Sequence, residues 1–82
     1  MSVSYASLPA LVRETAEREL TRKQLDVFKL HCAGCSYARI STMLMIGVST
    51  VKGHLHAAHL HLEKAGVVRT DFRAYSMREE AA

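Results

Sequence analysis

The side chains that could carry chemistry lie mostly in the middle of this chain. Cys32 and Cys35 form a Cys-x-x-Cys, and the same stretch holds all five histidines: His31, His54, His56, His59 and His61. Cysteine and histidine are zinc ligands, but a structural zinc site needs four of them at compact spacing. Along a helix only residues three or four apart share a face, and His56 with His59 is the sole such histidine pair. We therefore expect no metal and no cofactor, with a metal or redox role for the cysteine pair as the alternative.

The same residues do not assemble a catalytic apparatus. No nucleophile stands in a pattern with a base and an orienting carboxylate, and no glycine-rich phosphate-binding loop is present. Between Asp26 and Glu63 the sequence has no acidic residue that could serve as a general acid. We therefore expect that the protein is not an enzyme.

That acid-free stretch is basic. It contains Lys29, Arg39 and Lys52 besides the histidines, whereas both flanks are nearly balanced, and the net charge of the chain is +3. Concentrated positive potential favours a polyanion as the binding partner.

Length and composition limit the kind of protein that presents these residues. A chain of 82 residues suffices for a single domain, 1–82, and 49% hydrophobic with 23% charged residues is a globular balance. Glycine (4) and proline (1) are too scarce for a turn-rich β-sandwich. The chain has no apolar run long enough to span a membrane and no secretory signal, so we expect a cytoplasmic protein without a membrane partner.

Periodicity and capping signals predict an all-α fold, a compact bundle of about five helices. Thr21 and Gln24 have the spacing of a reciprocal capping box, and Gly34 suits a left-handed helix end. Ser36 can cap a third helix. The predicted helices cover residues 7–19, 21–33, the segment after Ser36, 48–65 and 70–80, and the last of these carries Phe72, Tyr75 and Met77.

The third and fourth predicted helices have the ingredients of a helix-turn-helix, with Met45-Ile46-Gly47 as the tight turn between them. A small residue, Ser41, lies where the two helices must cross closely. The inward stripe of the fourth helix is Val51, Leu55, Ala58 and Leu62. The opposite side bears Ser49, Lys52, Gly53 and His56, none of them large and apolar, so that side can reach base edges.

Residues 20–67 resemble the DNA-binding domain of the LuxR/GerE family of bacterial transcription regulators, and region four of bacterial sigma factors is similar. The resemblance implies a tetrahelical helix-turn-helix core at 20–67, flanked by an N-terminal helix at 1–19 and a C-terminal helix and tail at 68–82. The residues that carry it are Leu20-Thr21, Val27, Leu30, Gly34-Cys35-Ser36, Ile40, Leu44, Ile46 and Thr50-Val51-Lys52-Gly53-His54-Leu55.

The family's function is sequence-specific binding of double-stranded DNA in transcription regulation, so the resemblance places the recognition helix, residues 48–65, in the major groove. Lys52 and His56 are then the first candidates for base or phosphate contact. The further candidates for DNA contact are Ser49, Thr50, Gly53, His54, Arg22, Lys23, Tyr37 and Arg39. For His54 a packing role is the alternative. The sequence departs from the family at Arg39, where a glutamate is usual, and at Gly53, where a base-reading side chain is frequent.

Two further expectations concern partners. The predicted C-terminal helix could form a homodimer, which would place two recognition helices in successive major grooves. The alternative function is a small helix-turn-helix protein that binds RNA polymerase or another regulator as an inhibitor or decoy. The short chain without a sensor domain suits a minimal bacterial or phage regulator, associated with the nucleoid when bound.

Overall fold

The computed structural model describes residues 4–71 and 73–78. Within these residues the chain forms a short 3₁₀ helix, four α-helices and one two-stranded sheet. In chain order the elements are the 3₁₀ helix Tyr5–Ser7, α1 (Ala10–Glu19), α2 (Arg22–Cys32), α3 (Tyr37–Leu44), α4 (Val48–Lys64), β1 (Val67–Arg69) and β2 (Tyr75–Met77). No helix in these two ranges has the length and apolar character to cross a membrane.

Short-range capping interactions set the limits of α2, as the sequence predicts. The Gln24 backbone N–H donates to the Thr21 hydroxyl at 3.3 Å, and the Thr21 N–H donates to the Gln24 side chain at 3.2 Å. This reciprocal pair satisfies two amides that have no partner inside the helix. Beyond the helix end, Gly34 has φ 96°, the left-handed conformation that glycine adopts without a steric penalty. The capping box and the glycine stop are therefore confirmed.

The first helix begins later than the periodicity predicts. Residues 5–7 form the separate 3₁₀ helix, and α1 starts only at Ala10. Leu8 has ψ 153° because the ring of the following proline disfavours the helical conformation at the preceding residue. Pro9 thus cannot lie inside a helix that starts at residue 7.

The predicted all-α bundle of five helices is wrong at its C-terminal end. In place of a helix over 70–80, β1 and β2 pair as an antiparallel hairpin in which Val67 lies opposite Met77 and Arg69 opposite Tyr75. Pairing with β1 puts the Tyr75 ring in the core, 4% exposed and 5.0 Å from the ring of Phe28. The expected dimerisation helix is therefore a strand at Tyr75 and Met77. Phe72 and residues 79–82 of that predicted segment lie outside the described residues.

Two apolar clusters hold α4 along its length. The first, beneath the hairpin, includes Phe28, Leu62 and Tyr75, and the second packs α2 and α3 against the start of α4. The predicted inward stripe of α4 is confirmed, since each of its members is at most 4% exposed: Val51, Leu55, Ala58 and Leu62. Because that face is buried in both clusters, the opposite face of α4 is directed outward.

A three-residue turn fixes how α4 leaves α3. Met45 ends α3 in the left-handed conformation, with φ 57° and ψ 46°, and its side chain is 90% exposed. The Ile46 N–H donates to the Ser41 carbonyl at 3.1 Å, and the Ser41 hydroxyl donates to the Ile46 carbonyl. Ser41 thus closes the turn through its hydroxyl and its carbonyl.

Candidate nucleic-acid interface

The outward face of α4 carries the residues that the sequence predicts for DNA contact. Exposed residues line the first half of the helix on the side away from the core: Ser49, Thr50, Lys52, Gly53 and His56. His54 is half-buried, so its packing role has structural support beside the contact role. No acidic residue occurs in α4 before Glu63. The first half of α4 therefore presents hydroxyl, ammonium and imidazole groups without a competing carboxylate.

Lys52 and Tyr37 are the two candidates that the structure brings together. The Lys52 ammonium lies 5.9 Å from the centre of the Tyr37 ring, and Tyr37 is 39% exposed at the first position of α3. An ammonium over an aromatic face is attracted by the ring quadrupole, by about 0.5–1 kcal/mol at an exposed site. This contact restricts the lysine without covering it, so the charge stays available to a phosphate or a base edge.

The remaining basic candidates lie on other elements. Arg39 is exposed on α3, and its backbone N–H donates to the Ser36 hydroxyl at 3.1 Å. Ser36 therefore caps α3 although Arg39 replaces the glutamate that would complete a capping box. Arg22 and Lys23 are exposed in the first turn of α2. Among residues 4–71 and 73–78, no hydrogen bond or ring contact joins them to Lys52 and Tyr37.

Two of the histidines, one buried and one half-buried, contact each other between α2 and α4. His31 on α2 is 5% exposed, with its ring 6.2 Å from that of His59 on α4. The His59 ring nitrogen and the Tyr75 hydroxyl form a hydrogen bond of 2.9 Å. Burial lowers the pKa of His31 to about 4, and the positive charges of neighbouring His59, Arg69 and Arg73 act in the same direction. Burial also lowers the pKa of His59. These two imidazoles connect α2, α4 and the hairpin.

The cysteine pair divides between core and loop. Cys32 is fully buried beside Phe28, and burial raises the pKa of its thiol to about 12. A thiol of this kind is a poor nucleophile and a poor metal ligand. Cys35 is half-buried, and both cysteines are free. Across the part of the chain that the structure describes, no group of three or more histidine, cysteine and acidic side chains is arranged to hold a metal ion.

Sequence reasoning missed the arginines of the hairpin. Arg69 ends β1, and Arg73 lies just before β2, in a cleft of about 390 Å³ shared with His31 and Tyr37. Two signals point to the hairpin, namely the β-branched pair Val67-Val68 and the turn-forming Asp71 a few residues later. The aromatic and methionine residues in this segment have helical spacing, which favours a helix over the hairpin that these two signals indicate.

Comparisons of this chain with protein-family models, curated proteins and solved structures found no match. An exposed helix face with one positioned lysine, a nearby tyrosine and no carboxylate has the chemistry to contact an extended anion.

Gly53 offers a test of whether α4 is an unconstrained, exposed helix at this position. A Cβ added at this position would meet nothing within 4 Å, so Gly53→Ala should raise the free energy of unfolding by about 0.5–1 kcal/mol through helix propensity alone. Urea denaturation followed by circular dichroism measures this change. Gly66→Ala is the matched control and should destabilise, because Gly66 has φ 94°. A Gly53→Ala protein no more stable than wild type would show that the helix is constrained here by something other than its own backbone.

Proposed function

We propose that this protein binds double-stranded DNA in a sequence-specific manner and regulates transcription, with α4 as the recognition helix. In this proposal α3, the turn and α4 are the helix-turn-helix of a tetrahelical core. The observation that carries it is the contrast between the two faces of α4: one is locked into both apolar clusters, and the other exposes Ser49, Lys52 and His56. The resemblance of residues 20–67 to the LuxR/GerE domain supports the same assignment.

The dimensions and chemistry of DNA suit this face. The major groove is about 12 Å wide, which admits one α-helix, and guanine presents two acceptors there that a lysine can reach. His56 follows Lys52 by one helical turn, so both can address the same strand. Gly53 between them lets the backbone of α4 approach the groove closely. Tyr37, at the start of α3, can donate its hydroxyl to a backbone phosphate.

Selection from randomised duplexes at two salt concentrations tests the proposal. We expect an enriched site whose affinity falls steeply as salt rises, because bound phosphates release their counterions. On that site Lys52→Ala and His56→Ala should each weaken binding by about 1–3 kcal/mol if the residue contacts a base. Fluorescence anisotropy measures the affinities.

Lys64→Ala is the matched control, since it removes the same exposed side chain from the last turn of the same helix. It should keep the wild-type sequence preference and most of the affinity. No enriched sequence, or equal losses in Lys52→Ala and Lys64→Ala, would contradict recognition through the first half of α4.

A second candidate function, docking on RNA polymerase or another regulator, has one observation in its favour. Exposed apolar side chains surround the turn: Met43 is 52%, Met45 90% and Val48 40% exposed. A left-handed residue other than glycine costs about 1–2 kcal/mol, so a function for the Met45 side chain would explain its presence there. Under this alternative, Met45→Ser would abolish binding to purified bacterial RNA polymerase, whereas Lys52→Ala would leave it unchanged. The DNA-binding proposal expects the reverse sensitivity, measured on the selected duplex.

A further inference from the structure

The hairpin places the Arg73 side chain at the edge of the surface formed by α3 and α4. Arg73 shares its cleft with Tyr37, and the Tyr37 ring in turn lies 5.9 Å from the Lys52 ammonium. Three elements that are separate in sequence therefore meet in the order hairpin, α3, α4. The cleft between the hairpin tip and the start of α3 has a volume of about 390 Å³, and its lining includes the Arg73 guanidinium and the Tyr37 phenol beside His31, Cys35 and Ser36.

The position of the hairpin is fixed by the core. Tyr75 is buried, packs its ring at a tilt against Phe28 and hydrogen-bonds to His59 of α4, which connects β2 to two helices. At the tip, the Thr70 N–H donates to the Ala74 carbonyl at 2.9 Å, and the Asp71 N–H donates to the same carbonyl at 3.2 Å. These two hydrogen bonds restrain the backbone of Thr70, Asp71 and Ala74, so binding beside them loses less conformational entropy than binding to an unrestrained loop.

The charges of the hairpin also favour an anion. Residues 66–78 include Arg69, Arg73 and Arg78, with Asp71 as the acidic residue among them. Arg69 and Arg73 both lie close enough to His31 for their charges to help lower its pKa. Arg73 lines this cleft, and Arg69 lines a neighbouring cleft with His59 and Tyr75, so the hairpin brings positive potential close to the start of α3.

We propose that Arg73 contacts a backbone phosphate of double-stranded DNA beside the groove that α4 occupies. The hairpin, Tyr37 and Lys52 then contact the same DNA strand. This inference rests on the proposed DNA-binding function and adds a second element to it. A planar guanidinium binds phosphate through two parallel hydrogen bonds, and a phenol hydroxyl donates a third. Such contacts set the register of the protein on the duplex and carry no sequence information.

Arg73→Gln separates this phosphate contact from base recognition. On the duplex selected by the wild-type protein, we expect affinity to fall roughly tenfold and the slope of log affinity against log salt to decrease by about 1. The ratio of affinities for the selected duplex and a scrambled duplex should stay the same. Arg18→Gln is the matched control, because it removes an equal charge from an exposed position on α1; it should leave the slope unchanged.

Ethylation interference gives a second measurement, and its result for the wild-type protein does not depend on the folding of a variant. It should show at least one essential phosphate outside the stretch whose bases are selected, and with Arg73→Gln that interference should disappear. If the wild-type protein binds no duplex, both the proposed function and this contact are wrong. If it binds a selected site while Arg73→Gln keeps the wild-type slope and interference pattern, or while Arg18→Gln loses as much as Arg73→Gln, only the hairpin contact is wrong.

Discussion

Replacing Phe28 with alanine should leave much of the protein unfolded under conditions in which the wild type is folded. Phe28 is fully buried between two aromatic rings, with the ring of Tyr5 at 6.1 Å and that of Tyr75 at 5.0 Å. Truncation of a buried phenylalanine to alanine costs about 3–5 kcal/mol, because apolar contact is lost and a cavity remains. At about 0.05–0.15 kcal/mol per residue, a domain of this size has a total stability not much larger than that loss.

Denaturation in urea, followed by far-ultraviolet circular dichroism, measures the effect. Phe28→Leu is the matched control and should cost less than about 1.5 kcal/mol, since most of the apolar volume is kept. Leu11→Ala, at a position 60% exposed, should change the stability by no more than about 0.5 kcal/mol. A Phe28→Ala protein within 1 kcal/mol of wild type would show that the two aromatic contacts do not join the hairpin to the helices.

The parts of this fold that the sequence predicts well depend on local interactions. Thr21 and Gln24 are three residues apart, and their reciprocal hydrogen bonds form within a single turn of helix. Likewise, the hydroxyl of Ser36 accepts from the nearby Arg39 amide. In each case the partner lies within one turn, so residue type and spacing alone identify the helix start.

The C-terminal segment shows where this reasoning ends. Its aromatic and methionine residues have a spacing compatible with a helix, but the conformation of Tyr75 is decided by partners far away in the sequence. Those partners are Phe28 on α2 and His59 on α4, while Arg69 pairs with Tyr75 across the hairpin. Burial of a tyrosine whose hydroxyl finds a hydrogen-bond partner outweighs intrinsic helix propensity, which amounts to only tenths of a kcal/mol per residue.

In the candidate site, too, some features follow from local sequence and others depend on tertiary packing. The exposure of Lys52 follows from the period of α4, since the apolar stripe at Val51 and Leu55 fixes which side faces outward. Its proximity to Tyr37 depends on the crossing of α3 and α4, which the turn sets through the backbone conformation of Met45. The place of Arg73 beside them depends on the hairpin and so on long-range contacts. The sequence period therefore identifies the exposed face of α4, whereas the residues beside that face, Tyr37 and Arg73, are identified only by tertiary packing.

Acidification should destabilise the protein, chiefly through His31. The pKa of this imidazole falls from 6.5 to about 4 in the folded protein, first because burial disfavours the charged ring and then because of His59, Arg69 and Arg73. The Tyr37 ring lies 6.3 Å from the His31 ring, and the described residues that line their shared cleft include no carboxylate. The unfolded chain therefore binds a proton near pH 6.5, where the folded protein still excludes it.

The sign of the effect follows from that difference. Above pH 6.5 the His31 ring is neutral in both the folded and the unfolded protein, so the free energy of unfolding has its full value. It decreases as the pH falls toward 4, because only the unfolded chain binds the proton. Since each pH unit between the two pKa values corresponds to about 1.4 kcal/mol, His31 alone accounts for roughly 3 kcal/mol. The lowered pKa of His59 adds to the loss in the same direction. Urea denaturation at pH 7.5, 6.5, 5.5 and 4.5 should show a plateau above pH 6.5 and a steady decline below it.

Two variants decide whether His31 is responsible. His31→Gln removes the titrating ring and should flatten most of the decline below pH 6.5, whatever its effect on stability at pH 7.5, and leave the part that His59 contributes. His61→Gln removes an exposed imidazole from α4 and should keep the wild-type dependence. If the wild-type protein keeps the same free energy of unfolding from pH 7.5 to 4.5, or if His31→Gln declines as steeply as wild type, His31 is not held neutral. The packing of α2, α4 and the hairpin around it would then be looser than the structure describes.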